Sequence, residues 1–147
     1  MSDQDIHRKC SVNCFNGVWD LLDKDGRTTE EDQLMREMAH ASLFHGMSRE
    51  DKKPMNLSIG FWQVSRVYSV LGQADAAASY AEECVAVSQD LNAFCRGYAC
   101  EAAARAAKVG GDESTCEEWI AKAVPLLEEI TDQQDRDLLA TDLDSLA

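Results

Sequence analysis

Apolar residues recur at every third or fourth position along most of the chain, the spacing that places them on one face of an α-helix. The first such stretch runs from about Ile6 to Leu22, and a second runs from Thr28 to about Gly46. Five more follow, over about 57–71, 75–89, 93–109, 112–130 and 132–146. The pattern predicts an all-α protein of six or seven helices.

Residues with special backbone chemistry separate these stretches. Glycine readily adopts the left-handed conformation that ends a helix, so Gly26, Gly72 and the pair Gly110–Gly111 are predicted helix ends. Pro125 falls inside the sixth pattern, where it would kink the helix or end it early. Because the connections at these glycines are short, consecutive helices are expected to pack antiparallel.

Side chains that satisfy free backbone N–H groups mark the predicted helix starts. Thr28 and Glu31 have the spacing of a capping box at the second helix. Asn56 is the expected cap of the third helix, and Asp112 or Ser114 that of the sixth. The polar segment 47–55 is interpreted as a surface loop within one domain, 1–147, because the preceding residues are too few for a separate core.

The chain also repeats itself at an offset of 39 residues, the separation of Gly72 and Gly111. Small residues at matching positions allow two helices to approach closely, and the glycine makes the turn between them. We therefore expect Ala77, Ala81, Ala103 and Ala107 to be buried at helix crossings. The matched pairs are Arg66 with Arg105, Val70 with Val109, Ala77 with Cys116, Tyr80 with Trp119, Cys84 with Ala123, and Val85 with Val124.

This pattern resembles the tetratricopeptide repeat, and in particular small single-domain bacterial members of that family. The resemblance covers about 57–130, although the period exceeds the family's roughly 34 residues and Ala74 and Glu113 replace an expected aromatic. It implies helix pairs at about 6–46, 57–90 and 93–130, with a closing helix at about 132–146, stacked as a short right-handed superhelix. The matching positions are Phe61, Val64, Ser65, Tyr68, Gly72, Ala77, Ala81 and Cys84, and less closely Cys100, Ala103, Ala104, Ala107, Gly111, Cys116, Ile120 and Ala123.

In that family the first helix of each repeat lines a concave groove, so the resemblance implies a ligand groove and a protein or peptide partner. Arg66 and Arg105, flanked by Trp62 and Tyr98, are then expected to be solvent-accessible and to hold an acidic or C-terminal carboxylate. Two alternatives remain open: Arg66 pairs with a carboxylate of this chain, and Trp62 packs against the N-terminal helices. The implied groove residues are Ile59, Trp62, Arg66, Ser69, Tyr98, Glu101, Arg105 and Lys108.

Charge narrows the choice of partner. The 27 acidic and 14 basic residues give a net charge of −13, which disfavours nucleic acids and anionic membrane surfaces. The polar N-terminus and the lack of a long apolar run favour a cytoplasmic protein. The six cysteines are accordingly interpreted as reduced thiols.

We expect a non-enzymatic module with no catalytic residue, no bound metal and no cofactor. One alternative is a metal- or thiol-dependent enzyme, because His7, Cys10 and Cys14 share a helix face and His40 or His45 could supply a fourth ligand. Another is a self-associating structural protein, such as a homodimer, because a short helical stack exposes apolar ends.

Overall fold

The computed structural model describes residues 1–147 and contains seven α-helices and no β-strand. The predictions of an all-α fold and of antiparallel helix pairs agree with it, and the helix count is the larger of the two expected. The helices are α1 (Asp3–Leu22), α2 (Thr29–Met47), α3 (Pro54–Val70), α4 (Ala74–Ser88), α5 (Ala93–Val109), α6 (Glu113–Leu127) and α7 (Gln133–Asp144).

Two predicted helix starts are confirmed by their hydrogen bonds. Thr28 Oγ1 accepts a bond from the Glu31 amide at 3.1 Å, and the Thr28 amide donates to the Glu31 carboxylate at 3.0 Å. At α6, Asp112 rather than Ser114 is the cap, since its carboxylate accepts the Thr115 amide at 3.1 Å. Each bond satisfies a backbone N–H group that has no partner within its helix.

The predicted start of α3 was wrong. The helix begins at Pro54, and Asn56 lies within its first turn instead of preceding it. Proline suits the first helical position because its fixed φ matches the helix and it lacks the N–H that would go unpaired there. Asn56 still caps the helix by reaching back, as its Oδ1 accepts the Lys53 amide at 2.9 Å.

The internal repeat is present in the backbone itself. Helices α5 and α6 begin and end 39 residues after α3 and α4 at all four ends. Gly72 and Gly111 have φ of 75° and 79°, the left-handed region that favours glycine. Pro125 lies inside α6 but does not shorten it, because α4 and α6 both have 15 residues.

The odd-numbered helices lie side by side on one face of the protein. Each helix packs against the next in the chain, and in addition α3 packs on α5 and α5 on α7. We call this side the odd-helix face. On the opposite side a groove of about 460 Å³ separates α4 from α6. The packing of helix pairs is consistent with a helical repeat.

The hydrophobic core changes in character along the stack. Around α1 to α3 it contains large side chains such as Met35, Leu43 and Val64. Around α5 to α7, leucines of α7, and Leu146 just after it, pack on small residues, including Ala93, Ala104 and Ala123. None of the seven helices is both long enough and apolar enough to cross a membrane.

The alanine predictions are half confirmed. Ala77 and Ala81 are buried, whereas Ala103 and Ala107 are only partly buried, because they face the groove between α4 and α6.

We therefore predict that Ala81→Leu destabilises the protein by roughly 1–3 kcal/mol through overpacking. Ala103→Leu should be nearly neutral, since the added atoms can extend into the groove. Urea unfolding of both variants tests this difference, and equal losses would contradict it.

Candidate functional site

The odd-helix face contains an apolar cleft to which α1, α3, α5 and α7 all contribute. Its volume is about 230 Å³, and most of its lining is aromatic or aliphatic. We call it the aromatic cleft. The lining residues are Phe15 and Trp19 of α1, Ser58, Ile59 and Trp62 of α3, Phe94, Cys95 and Tyr98 of α5, and Leu138 and Asp142 of α7.

Helical spacing explains why these side chains meet. Residues three or four apart share a helix face, as Phe15 and Trp19 do on α1 and Phe94 and Tyr98 do on α5. The rings then pack across helices. Trp19 stacks on Trp62 with ring centroids 5.8 Å apart, and Tyr98 meets Trp62 nearly edge-on, at 85° and 5.6 Å. These contacts hold the walls of the cleft in place before any ligand binds.

A buried cluster of charged groups lies beside the cleft. Glu101 is fully buried, and its Oε1 accepts hydrogen bonds from Arg66 Nη1 at 3.1 Å and Arg105 Nε at 2.7 Å. Its Oε2 accepts the indole N–H of Trp62 at 3.0 Å. We call Arg66, Glu101 and Arg105 the arginine–glutamate cluster. Trp62 therefore links the cleft to the cluster.

The last helix completes this arrangement. The Tyr98 hydroxyl donates to Asp142 Oδ2 at 2.6 Å, which ties α5 to α7. Burial, and then the adjacent Asp142 carboxylate, raise the pKa of Tyr98. Tyr98 is consequently a neutral hydrogen-bond donor near physiological pH, and the cleft wall carries no phenolate.

The eight predicted groove residues do not form one continuous surface. Ile59, Trp62 and Tyr98 lie in the aromatic cleft. Ser69 is buried, and its Oγ has no hydrogen-bond partner. Lys108 donates to the backbone carbonyl of Leu146 at 2.9 Å, so the end of the chain holds its ammonium group. The other three residues form the arginine–glutamate cluster.

The expectation of solvent-accessible guanidinium groups was wrong. The side chains of Arg66 and Arg105 are only 19% and 18% exposed, because both turn inward to Glu101. Their predicted proximity to the aromatic residues is correct for Arg66, whose guanidinium carbon lies 5.5 Å from the Trp62 ring centroid. Both open alternatives describe the structure: Arg66 pairs within the chain, and Trp62 packs against α1 through Trp19.

Several cleft residues escaped the sequence reasoning because they lie outside the two matched repeats or one turn from the expected positions. Phe15 and Trp19 come from the N-terminal helix pair, and Leu138 and Asp142 from the closing helix. Phe94 lies one turn before Tyr98. The paired aromatic residues four apart on α1 and α5 were the available signal, and only the packing of α1 against α3 shows that they converge.

The structure brings together only some of the histidines and cysteines on which the enzyme alternative was based. His7 Nδ1 and His45 Nδ1 lie 2.9 Å apart, but His40 contacts the Tyr68 hydroxyl at 2.7 Å instead. No three His, Cys, Asp or Glu side chains come together as a metal-binding group. Burial raises the pKa of five thiols, that of Cys84 to about 11, and this opposes formation of a nucleophilic thiolate. The five are Cys14, Cys84, Cys95, Cys100 and Cys116.

In comparisons with known proteins, no family model, curated protein or solved structure matches the chain.

Proposed function

We propose that this protein is a non-enzymatic binding module of the tetratricopeptide-like kind, which takes one or two side chains of a peptide or protein segment into the aromatic cleft and buries their apolar parts there. The observation that carries the proposal is the cleft itself, an open apolar depression whose aromatic walls are already packed. Rigid aromatic residues bind with little loss of conformational entropy, which is why they are enriched among the residues that dominate binding energy.

The size of the cleft favours a side-chain anchor over a small-molecule ligand. Its volume of about 230 Å³ lies below the roughly 300–1,000 Å³ of sites that enclose drug-sized ligands or cofactors. One or two large side chains projecting from a longer segment would fill it. The rest of that segment would then lie across the odd-helix face.

The arginine–glutamate cluster changes the expected chemistry of the partner. The sequence-based hypothesis assigned Arg66 and Arg105 to a carboxylate of the ligand. In the structure Glu101 takes that place, bonded to both guanidinium groups. The proposal therefore requires no acidic partner. With a net charge of −13, a neutral or basic segment also approaches more favourably than an anionic polymer.

A substitution at the cleft rim tests the proposal. Leu138 lines the cleft and is 54% exposed, so Leu138→Lys should change its surface without unfolding the protein. We predict that peptides selected on the wild-type protein from a random phage-displayed library lose at least about tenfold in affinity for the variant, because a desolvated ammonium group at the rim opposes burial of the bound side chain. Fluorescence anisotropy with the labelled peptides measures the loss.

The chain offers a matched control for this charge change. Leu34 on α2 is 53% exposed and does not line the cleft, so Leu34→Lys should leave peptide affinity unchanged. Equal losses in both variants, or no selectable peptides at all, would refute the proposal. Light scattering on the same samples tests the alternative of a self-associating protein. A wild-type dimer that dissociates in the Leu34→Lys variant would favour that alternative.

A further inference from the structure

One charged residue, Asp142, lines the otherwise uncharged aromatic cleft. Its Oδ2 accepts the Tyr98 hydroxyl, but its Oδ1 accepts no hydrogen bond. The nearest cationic group to Oδ1 is Arg66 Nη2 at 4.0 Å, and the Asp142 side chain is 24% exposed. The carboxylate thus keeps acceptor capacity at a point that a bound ligand can reach.

The charges around the cleft do not oppose the binding of a cation. Arg66 and Arg105 are balanced by Glu101 and Asp142, so the group around the cleft is neutral overall. The whole protein carries −13. A cationic ligand therefore meets no net local repulsion and is attracted by the rest of the surface.

The aromatic walls also favour a cation on an alkyl stem. The faces of Trp and Tyr rings carry partial negative charge, which attracts ammonium groups, while the stem packs against the apolar ring. The same chain shows this contact on α6, where Lys122 Nζ lies 4.1 Å from the centroid of the Trp119 ring.

We propose that the preferred anchor in the aromatic cleft is a lysine side chain of the bound segment. Its alkyl stem packs against Trp19 and Trp62, and its ammonium group binds Asp142 Oδ1. Lysine fits better than arginine because its compact ammonium group can bind the single free oxygen of Asp142. A planar guanidinium group binds a carboxylate best through two acceptor oxygens. This inference rests on the proposed function and specifies its partner.

Two nearly isosteric probes test the choice of anchor. Nα-acetyl-lysine methylamide and Nα-acetyl-norleucine methylamide have similar stems, but only the first carries an ammonium group. We expect lysine to bind roughly two- to fivefold more tightly, the range of a partly exposed ion pair. The indole N–H signals of Trp19 and Trp62 in ¹H–¹⁵N NMR titrations report binding in the cleft, and that of Trp119 serves as an internal reference.

Asp142→Asn should abolish the preference for lysine while the amide oxygen continues to accept the Tyr98 hydroxyl. Asp144→Asn, an exposed residue on the same helix, should retain it and thereby control for the change in net charge. Raising the salt concentration should reduce the preference in the wild-type protein, which provides a test that needs no variant.

The outcomes separate this inference from the proposed function. Equal binding of the two probes in the wild-type protein, or a lysine preference that survives in Asp142→Asn, overturns the lysine anchor but leaves an apolar binding cleft. Failure of both probes to shift either cleft tryptophan signal overturns the anchor and the proposed function together.

Discussion

Glu101→Ala is expected to destabilise the protein by about 3–5 kcal/mol, the usual cost of removing one partner from a buried ion pair. The substitution leaves Arg66 and Arg105 with only Asp142, 4.0 Å from Arg66 Nη2, as a nearby counter-charge, and it deprives the Trp62 indole of its hydrogen-bond acceptor. Because this cluster joins α3 to α5, the loss should appear in the global unfolding transition. Urea denaturation followed by circular dichroism measures it.

A graded series identifies the cause of the loss. Glu101→Gln keeps the shape and an acceptor oxygen but removes the charge, so it should be less harmful than the alanine variant. Glu118→Ala removes an exposed helical glutamate and should be nearly neutral, within about 0.5 kcal/mol. A near-neutral Glu101→Ala would mean that the arginines are solvated in solution, and the carboxylate-binding hypothesis for the groove would then regain its support.

Leu139→Ala should cost about 2–5 kcal/mol, because it removes a fully buried side chain and leaves a cavity. Leu139 packs against Gly97, where an added Cβ would lie only 2.5 Å from its Cδ2 atom. This close approach of α7 to α5 positions Leu138 and Asp142 at the cleft. We therefore expect the variant to lose peptide binding as well as stability.

The neighbouring residue provides the control. Leu138→Ala removes a side chain of the same size that is more than half exposed, so its effect on stability should be small. Thermal unfolding of the two variants compares them directly. Similar melting temperatures would show that α7 is not docked as the structure describes, and the contribution of α7 to the cleft would fall with it.

Trp62 connects the aromatic cleft to the arginine–glutamate cluster, and this connection bears on the proposed binding of a ligand. Trp62 stacks on Trp19 at the cleft wall and donates to Glu101 inside the protein. A side chain held on both sides loses little freedom when a ligand binds, and this preorganisation increases affinity. Under the proposed function, the buried charges would support binding by fixing an aromatic wall, without contacting the ligand.

The sequence alone determined the features that depend on interactions within a turn or two of helix. Thr28 with Glu31 specified the start of α2, and Gly72 and Gly111 specified two chain reversals at left-handed φ. The 39-residue offset was also readable, because both repeats need small residues where their helices cross. Asn56 shows the limit of such local reasoning, since Pro54 competed with it for the helix start and prevailed.

Only the tertiary structure decided which predicted groove residues remain open to a ligand. The resemblance to the tetratricopeptide repeat implied a common face for Trp62, Arg66 and Glu101, and all three lie toward the odd-helix face, but the resemblance does not show what covers that face. There α1 contributes Trp19 and α7 contributes Asp142, two residues outside the matched repeats. The arginines turn inward because a buried Glu101 would otherwise be an uncompensated charge, and that cost depends on burial, which arises only when the helices pack together.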